Sequence, residues 1–266
     1  MQKDLALFEP VVALARQAGR AILEVYRTDF SVEAKEDRSP LTQADMRSHR
    51  IIIEGLAALT PDVPALSEES WEIPFSTRSQ WKEYWLVDPL DGTKEFVKRN
   101  GEFTVNIALI RDHRAVLGAV HVPVQDKSYY GCAGHGAFLR DGDCDPVAIH
   151  AAKRGSGPVK VVGSRSHPSA SLQEYLKHLG PHEILPMGSS LKLCLVAEGK
   201  ADIYPRLGPT SEWDTAAAQA VVEAAGGSVT DTRGAPLLYN TKDDILNPHF
   251  LVFGDSSQDW TAHVPG

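Results

Sequence analysis

Apolar residues recur at helical spacing near the start of the chain. Leu5, Phe8, Val12, Ala15, Ile22 and Tyr26 share one face of an amphipathic helix predicted over roughly residues 4–27. A second helix follows in SPLTQADMRSHRIIIEGLAAL, where Ser39-Pro40 precedes the periodic positions and Thr42-x-x-Asp45 has the form of a capping box. Pro61 and Pro64 end it. The pattern then shortens. VPALSEES reads as a strand running into an acidic loop, and YWLVD as a buried strand. FTVNIALI and AVLGAVHV form a hairpin joined by RDHR, and KSYYGCAGHGAFL gives two more strands about a glycine turn. DGDCDPVAIHAAKRGSGP is polar and turn-rich, which places a lobe boundary near residue 153. Residues 1–153 then form an α+β lobe and 154–266 an α/β lobe of one functional unit. In the second lobe VKVVGS, ADIYPR, SVTD and HFLVFG read as strands, and SASLQEYLKHLG, SLKLCLVAEG and WDTAAAQAVVEAAGG as helices. Mixed strands followed by alternating strands and helices predict a layered α/β sandwich.

Composition narrows what such a sandwich could do. Of 266 residues, 42% are hydrophobic, enough for a sizeable core, and the net charge is −8. An acidic chain is a poor non-specific binder of nucleic acid, although bound metals and a few local cations can reverse the field within one pocket. The three cysteines, Cys132, Cys144 and Cys194, form no CxxC pair, so neither a disulfide framework nor a structural zinc site is expected. The first residues, MQKDLALFEP, lack the basic and apolar regions of a signal peptide, and no apolar run reaches membrane-spanning length. A cytoplasmic protein is expected, with peripheral association at the inner membrane left open, as is the choice between monomer and homodimer.

The candidate chemistry centres on WLVDPLDGTKEF. Asp88 and Asp91 stand three apart, and in a regular strand that spacing points them to opposite faces. For them to cooperate the chain is expected to turn at Pro89, which fixes φ and carries no amide hydrogen. Gly92 then allows close backbone approach to a ligand, and a helix starting at Thr93 presents free N–H groups to an anion. Two carboxylates, a hydroxyl and several amides around one point suit a hard cation and a phosphate. A bare DxxDG is more often a plain turn, LSEES a solvated loop at Glu68 and Glu69, and Asp45 or Asp214 a helix cap. Four acidic sites, each near a strand end or helix start, together carry more than any one of them.

LSEES, WLVDPLDGTKEF and WDTAAAQAVVEAAGG, in that order, resemble the metal-dependent phosphatases of the inositol monophosphatase and fructose-1,6-bisphosphatase superfamily. The resemblance implies their layered αβαβα sandwich. DGTKEFVKRNGEFTVNIALI, SRSH and GSSLKLCLVAEGKADIYPR are most similar to the bacterial CysQ type of 3′(2′),5′-bisphosphate nucleotidase. Lys94-Glu95 stands where inositol monophosphatases usually carry Thr-Asn. The resemblance implies two or three Mg²⁺ ions held by Glu68, Asp88, the Leu90 carbonyl, Asp91 and Asp214, with Glu69 alongside as an orienting group. It implies water activation by Thr93 and Asp45, phosphate contacts from Gly92 and Thr93, and nucleotide contacts from Ser164, His167, Gly188 and Lys192. Arg206 is a further candidate, through the short YPR, and Arg165 or Lys192 is a cation for the second phosphate. The implied reaction is release of the 3′-phosphate of adenosine 3′,5′-bisphosphate, with its phosphosulfate as a second substrate, in sulfate assimilation, and with sensitivity to lithium. Inositol monophosphatase, sugar bisphosphatase and a non-catalytic phosphometabolite-binding protein remain alternatives.

Overall fold

The computed structural model describes residues 2–28, 40–164 and 170–265. Helix α1 (Gln2–Leu5) is separate from α2 (Phe8–Tyr26), so the single helix expected over 4–27 is broken. Asp4 in α1 is held by two hydrogen bonds from Arg111, at 2.8 and 3.2 Å. Helix α3 (Pro40–Leu59) starts at Pro40, which needs no amide partner in a first turn. Thr42 and Asp45 therefore both lie inside the helix, and the expected capping box is corrected: Asp45 is a helical side chain, not a cap.

The chain then runs through β1 (Ala65–Ser67), a 3₁₀ turn at Glu68–Ser70, α4 (Phe75–Arg78), β2 (Glu83–Asp91) and α5 (Thr93–Val97). The antiparallel strands β3 (Thr104–Arg111), β4 (Arg114–Val122), β5 (Lys127–Cys132), β6 (Gly136–Asp141) and β7 (Val147–Ile149) follow. These seven strands form one sheet in chain order, with β1 and β2 its parallel pair. β7 arises within the segment read as turns; as a short edge strand it carries too little pattern to be seen.

The second sheet holds β8 (Val159–Ser164), β9 (His182–Met187), β10 (Ile203–Arg206), β11 (Ser228–Asp231) and β12 (Phe250–Phe253), in the order β11-β12-β10-β8-β9. Between them lie α6 (Ala170–Leu179), α7 (Leu191–Ala197), a 3₁₀ turn at Glu212–Asp214 and α8 (Ala216–Ala224). β9 is a mostly exposed edge strand without alternation, and the sequence pattern does not reveal it.

Three apolar cores separate five layers. One packs α2 and α3 on the outer face of the first sheet, through Val12, Ile22, Ile52, Trp85 and Ile107. The central core holds α7 and α8 between the sheets, and a third lies between the second sheet and α6. The alanines of α8 permit a close approach: a Cβ on Gly118 of β4 would lie 2.0 Å from the Ala217 carbonyl oxygen. The arrangement is the αβαβα sandwich expected from the sequence, and it aims the C-terminal end of β2 at the N-terminal ends of α7 and α8.

Candidate active site

Asp88 and Asp91 come to one face without a turn. β2 continues through Asp91, and its register against β3 shifts between Asp88, opposite Asn106, and Asp91, opposite Thr104. Three residues of β2 thus span two of β3. This β-bulge cancels the mismatch between a spacing of three and a strand period of two. The expected turn at Pro89 is corrected to this bulge, a position where a proline inside a sheet is tolerated. Local bonds secure it. The Leu90 amide donates to Asp88 Oδ1 at 3.0 Å, and Ser48 Oγ of α3 donates to the Pro89 carbonyl at 2.7 Å. Gly92 follows with φ of 98°, a left-handed conformation that favours glycine, and starts α5.

The other acids arrive from separate elements. Parallel pairing sets Ser67 of β1 beside Val87, so Glu68 emerges next to Asp88. Asp45 lies one turn before Ser48 and His49 on α3, and His49 Nδ1 is 2.9 Å from Ser67 Oγ, which ties that face of the helix to β1. Asp214 ends a 3₁₀ turn and accepts from the Ser211 amide through Oδ2 at 2.9 Å. The same side chain therefore has both a capping bond and a place in the acidic cluster. Ligand atoms of Asp88, Asp91 and Asp214 lie within 4.8 Å of one another.

Burial and mutual repulsion make these acids reluctant to ionise. Asp88 is pushed well above the usual carboxylate range, first by burial, then by Asp91 and Glu68. Asp45 rises to about 9, from burial and the charges of Glu69 and Glu68. Asp214 rises to about 7, chiefly from burial and then from Asp91. Glu68 rises from burial, with Glu69 and Asp91 adding to it. Asp45 Oδ1 is buried without a hydrogen-bond partner. An oxygen-only donor set this strained by its own charge fits a hard divalent cation, which would relieve the repulsion.

The cation-bearing side of the site is a cleft of about 150 Å³. Asp91, Gly92, Gly188, Lys192, Arg206 and Asp214 line it, joined by Glu95. Lys192 is half-buried, its desolvation lowers its basicity, and its Nζ sits 5.6 Å from the centre of the Tyr204 ring. A Cβ on Gly188 would come 2.6 Å from Cγ of Glu95, so the backbone there needs glycine for close approach. Thr93 is exposed on the first turn of α5, and no hydrogen bond joins it to Asp45, which instead meets Glu69. Glu68 and Glu69 border a neighbouring depression with Trp71. The β8–β9 register places Ser164 beside Met187 at the cleft wall. Arg165 and His167 lie outside the described residues, as does the side chain of Ser164.

Sequence reasoning missed Thr104, Ser189 and Ser190, which surround Asp91, and Asn106, which meets Ser190. Asp91 Oδ2 accepts from Ser189 Oγ at 2.5 Å and from the Ser190 amide at 2.6 Å. A signal was present: Glu102, Thr104 and Asn106 alternate with Phe103, Val105 and Ile107 at the start of an otherwise apolar strand.

With this geometry in place, the chain can be set beside known proteins. It matches the inositol monophosphatase family over residues 5–261. It is 50% identical over 251 residues to the 3′(2′),5′-bisphosphate nucleotidase CysQ of Escherichia coli (strain K12), covering 92% of this chain and 99% of that protein. It is 38% identical over 257 residues to the protein of the same name from Haemophilus influenzae, covering 96% of each. The crystal structure of CysQ from Bacteroides thetaiotaomicron, a bacterial member of the family, superposes with a TM-score of 0.84 at 40% identity, covering 94% of this chain and 97% of that one.

Proposed function

The chain belongs to the inositol monophosphatase family, and from that premise we propose that it is a Mg²⁺-dependent 3′(2′),5′-bisphosphate nucleotidase. Its substrate is adenosine 3′,5′-bisphosphate, cleaved to AMP and phosphate, with the phosphosulfate form as a second substrate. The observation that carries the reading is the meeting of Asp88, Asp91 and Asp214 within 4.8 Å at the edge of a cleft also lined by Lys192 and Arg206. The names and 50% and 38% identities of the relatives support the nucleotide as substrate.

Two or three Mg²⁺ ions are assigned to Glu68, Asp88, Asp91, Asp214 and the Leu90 carbonyl; when bound they supply positive charge to the phosphoryl oxygens and acidity to a water. The residues do the rest. Asp45, ionised once bound cations offset the surrounding negative charge, takes the proton of the attacking water at its buried unpartnered Oδ1, and the Thr93 hydroxyl aligns that water between them. Glu69, hydrogen-bonded to Asp45, orients it. The amides of Gly92 and Thr93 hold phosphoryl oxygens. Lys192 and Arg206 face the second phosphate, and Gly188 admits the nucleoside at close range. Arg165, Ser164 and His167 are assigned to the same nucleotide. Water adds to phosphorus as the ester P–O bond breaks, the 3′-oxygen takes a proton from solvent and leaves as a hydroxyl, and the proton held by Asp45 passes to solvent.

We assign residues 1–153 and 154–266 to two lobes of one functional unit and place the protein in the cytoplasm. Among the described residues no helix is long and apolar enough to cross a membrane. The test is Mg²⁺-dependent phosphate release from adenosine 3′,5′-bisphosphate, its phosphosulfate, inositol 1-phosphate and fructose 1,6-bisphosphate, side by side, with and without Li⁺. The bisphosphate nucleotide is expected to lead and Li⁺ to inhibit; a preference for inositol 1-phosphate would overturn the assignment.

A further inference from the structure

Alternate residues of one strand meet three consecutive residues of the other lobe. Glu102, just ahead of β3, and Thr104 and Asn106 at its start face the same turn, and all three are buried. Facing them are Gly188, Ser189 and Ser190, the turn that leads into α7. The Gly188 amide donates to Glu102 Oε2 at 2.8 Å. Thr104 Oγ1 lies 2.6 Å from Ser189 Oγ and 2.9 Å from Ser190 Oγ, and Ser190 Oγ lies 2.8 Å from Asn106 Oδ1. The row ends on Asp91 Oδ2, which accepts from Ser189 Oγ and from the Ser190 amide, with Thr104 Oγ1 3.4 Å away.

Hydroxyl chemistry gives the row a direction. Ser189 has one proton and gives it to Asp91, so at 2.6 Å it accepts from Thr104. Asn106 Nδ2 is buried without a partner. Half a turn of that amide lets the nitrogen donate to Ser190, and every hydroxyl in the row then donates toward Asp91. Ser189 holds a left-handed backbone, with φ of 53°, where a serine gains nothing locally. That conformation presents its hydroxyl and the next amide to the same carboxylate oxygen.

We infer that Thr104, Ser189 and Ser190 are positioning residues that couple cation binding at Asp91 to occupancy of the cleft. With Oδ2 held by these donors, Oδ1 is the oxygen left for a cation. The same turn carries Gly188 and leads directly to Lys192, both of which line the cleft. A ligand touching Gly188 or Lys192 and a cation on Asp91 therefore bear on the same hydrogen-bonded turn. Linkage makes the effect reciprocal. The inference rests on the proposed phosphatase reading for the cation's identity, but not for the nucleotide's.

The test is calorimetric titration of the full chain with Mg²⁺ alone, for wild type, Ser189→Ala, Thr104→Val and the conservative Thr104→Ser. Removing a partner of a metal-ligating carboxylate typically weakens affinity by about 10- to 100-fold, and about tenfold is expected for Ser189→Ala and for Thr104→Val. Thr104→Ser, which keeps the hydroxyl, should restore affinity to near wild type. A purely structural role would lower the melting temperature of all three and leave Mg²⁺ affinity unchanged, and that result overturns the inference, as does a wild type that binds no Mg²⁺. If the affinities rank as expected while the wild type releases no phosphate from adenosine 3′,5′-bisphosphate, the nucleotidase reading fails and the positioning of Asp91 by Thr104 and Ser189 stands.

Discussion

Strand β3 has one face toward α2 and α3 and another toward α8 and the turn that leads into α7. On the first, Val105, Ile107 and Leu109 are buried among apolar side chains, with Phe103 just ahead of the strand. On the second, Glu102, Thr104 and Asn106 are as deeply buried but meet amides, hydroxyls and a carboxylate, before Ala108 and Ile110 return to an apolar core. Both faces exclude water, by different means. The dry face needs apolar volume, which many side chains supply. On the polar face a single lost partner leaves a buried group unmatched, at a cost of about 1–3 kcal/mol. The dry face holds the sandwich together; the polar face stores electrostatic strain that a cation would release.

The largest expected effect is on the polar side. Asp91→Asn removes charge from the cation site and should cut phosphate release by about a thousandfold or more, corresponding to roughly 4 kcal/mol of lost charge stabilisation. Circular dichroism of the variant should be unchanged, and without metal it should melt no lower than wild type, because repulsion with Asp88 and Asp214 is relieved. Wild-type turnover in excess Mg²⁺ would remove Asp91 from the site. On the dry side, Ile107→Ala should cost about 2–4 kcal/mol of stability through the cavity it leaves. Its kcat/KM per folded molecule, measured well below the melting temperature, should stay within about twofold if the two faces are independent.

Two pH experiments sharpen the contrast, because their signs are opposite. His121, opposite Val105 on β4 and beneath Gly19 of α2, is buried and lowered to about 4. Its neutral form is favoured in the fold, so its contribution is present above pH ~6.5 and is lost as pH falls toward about 4, up to about 3 kcal/mol. Urea melts of wild type and His121→Gln across that window should differ in slope; identical slopes would deny His121 the role. Asp214 is raised to about 7 in the metal-free protein, so its contribution is present at low pH and is lost as pH rises through about 7. Metal-free protein should therefore melt lower at pH 8 than at pH 6 by a few degrees, and saturating Mg²⁺ should abolish or reverse the difference.

Much of the fold was legible because burial leaves a periodic trace. The outer helices, the central strands and the alanine-rich α8 show it clearly. β7 and β9 did not, being short or exposed edges whose pairing comes from neighbours rather than from their own pattern. The acids of the site were legible as residue types near element ends, and resemblance ordered them. Their assembly was not. A bulge replaces the expected turn at Pro89, and Asp45 is a helical side chain where a cap was expected. Ser189 and Ser190 look like common turn serines until the turn before α7 packs against β3. What escapes the sequence is long-range register, which fixes which faces meet.

The surplus residue in β2 has a consequence for how relatives of this chain could vary. Because Asp91 pairs opposite Thr104 only with one extra residue behind it, a chain lacking Leu90 and its bulge would still set the second acid opposite Thr104. Such a chain would keep the pair of carboxylates but lose the Leu90 carbonyl between them. A search keyed to the spacing alone would pass over such a shortened cousin, though its cleft could carry the same pair of carboxylates.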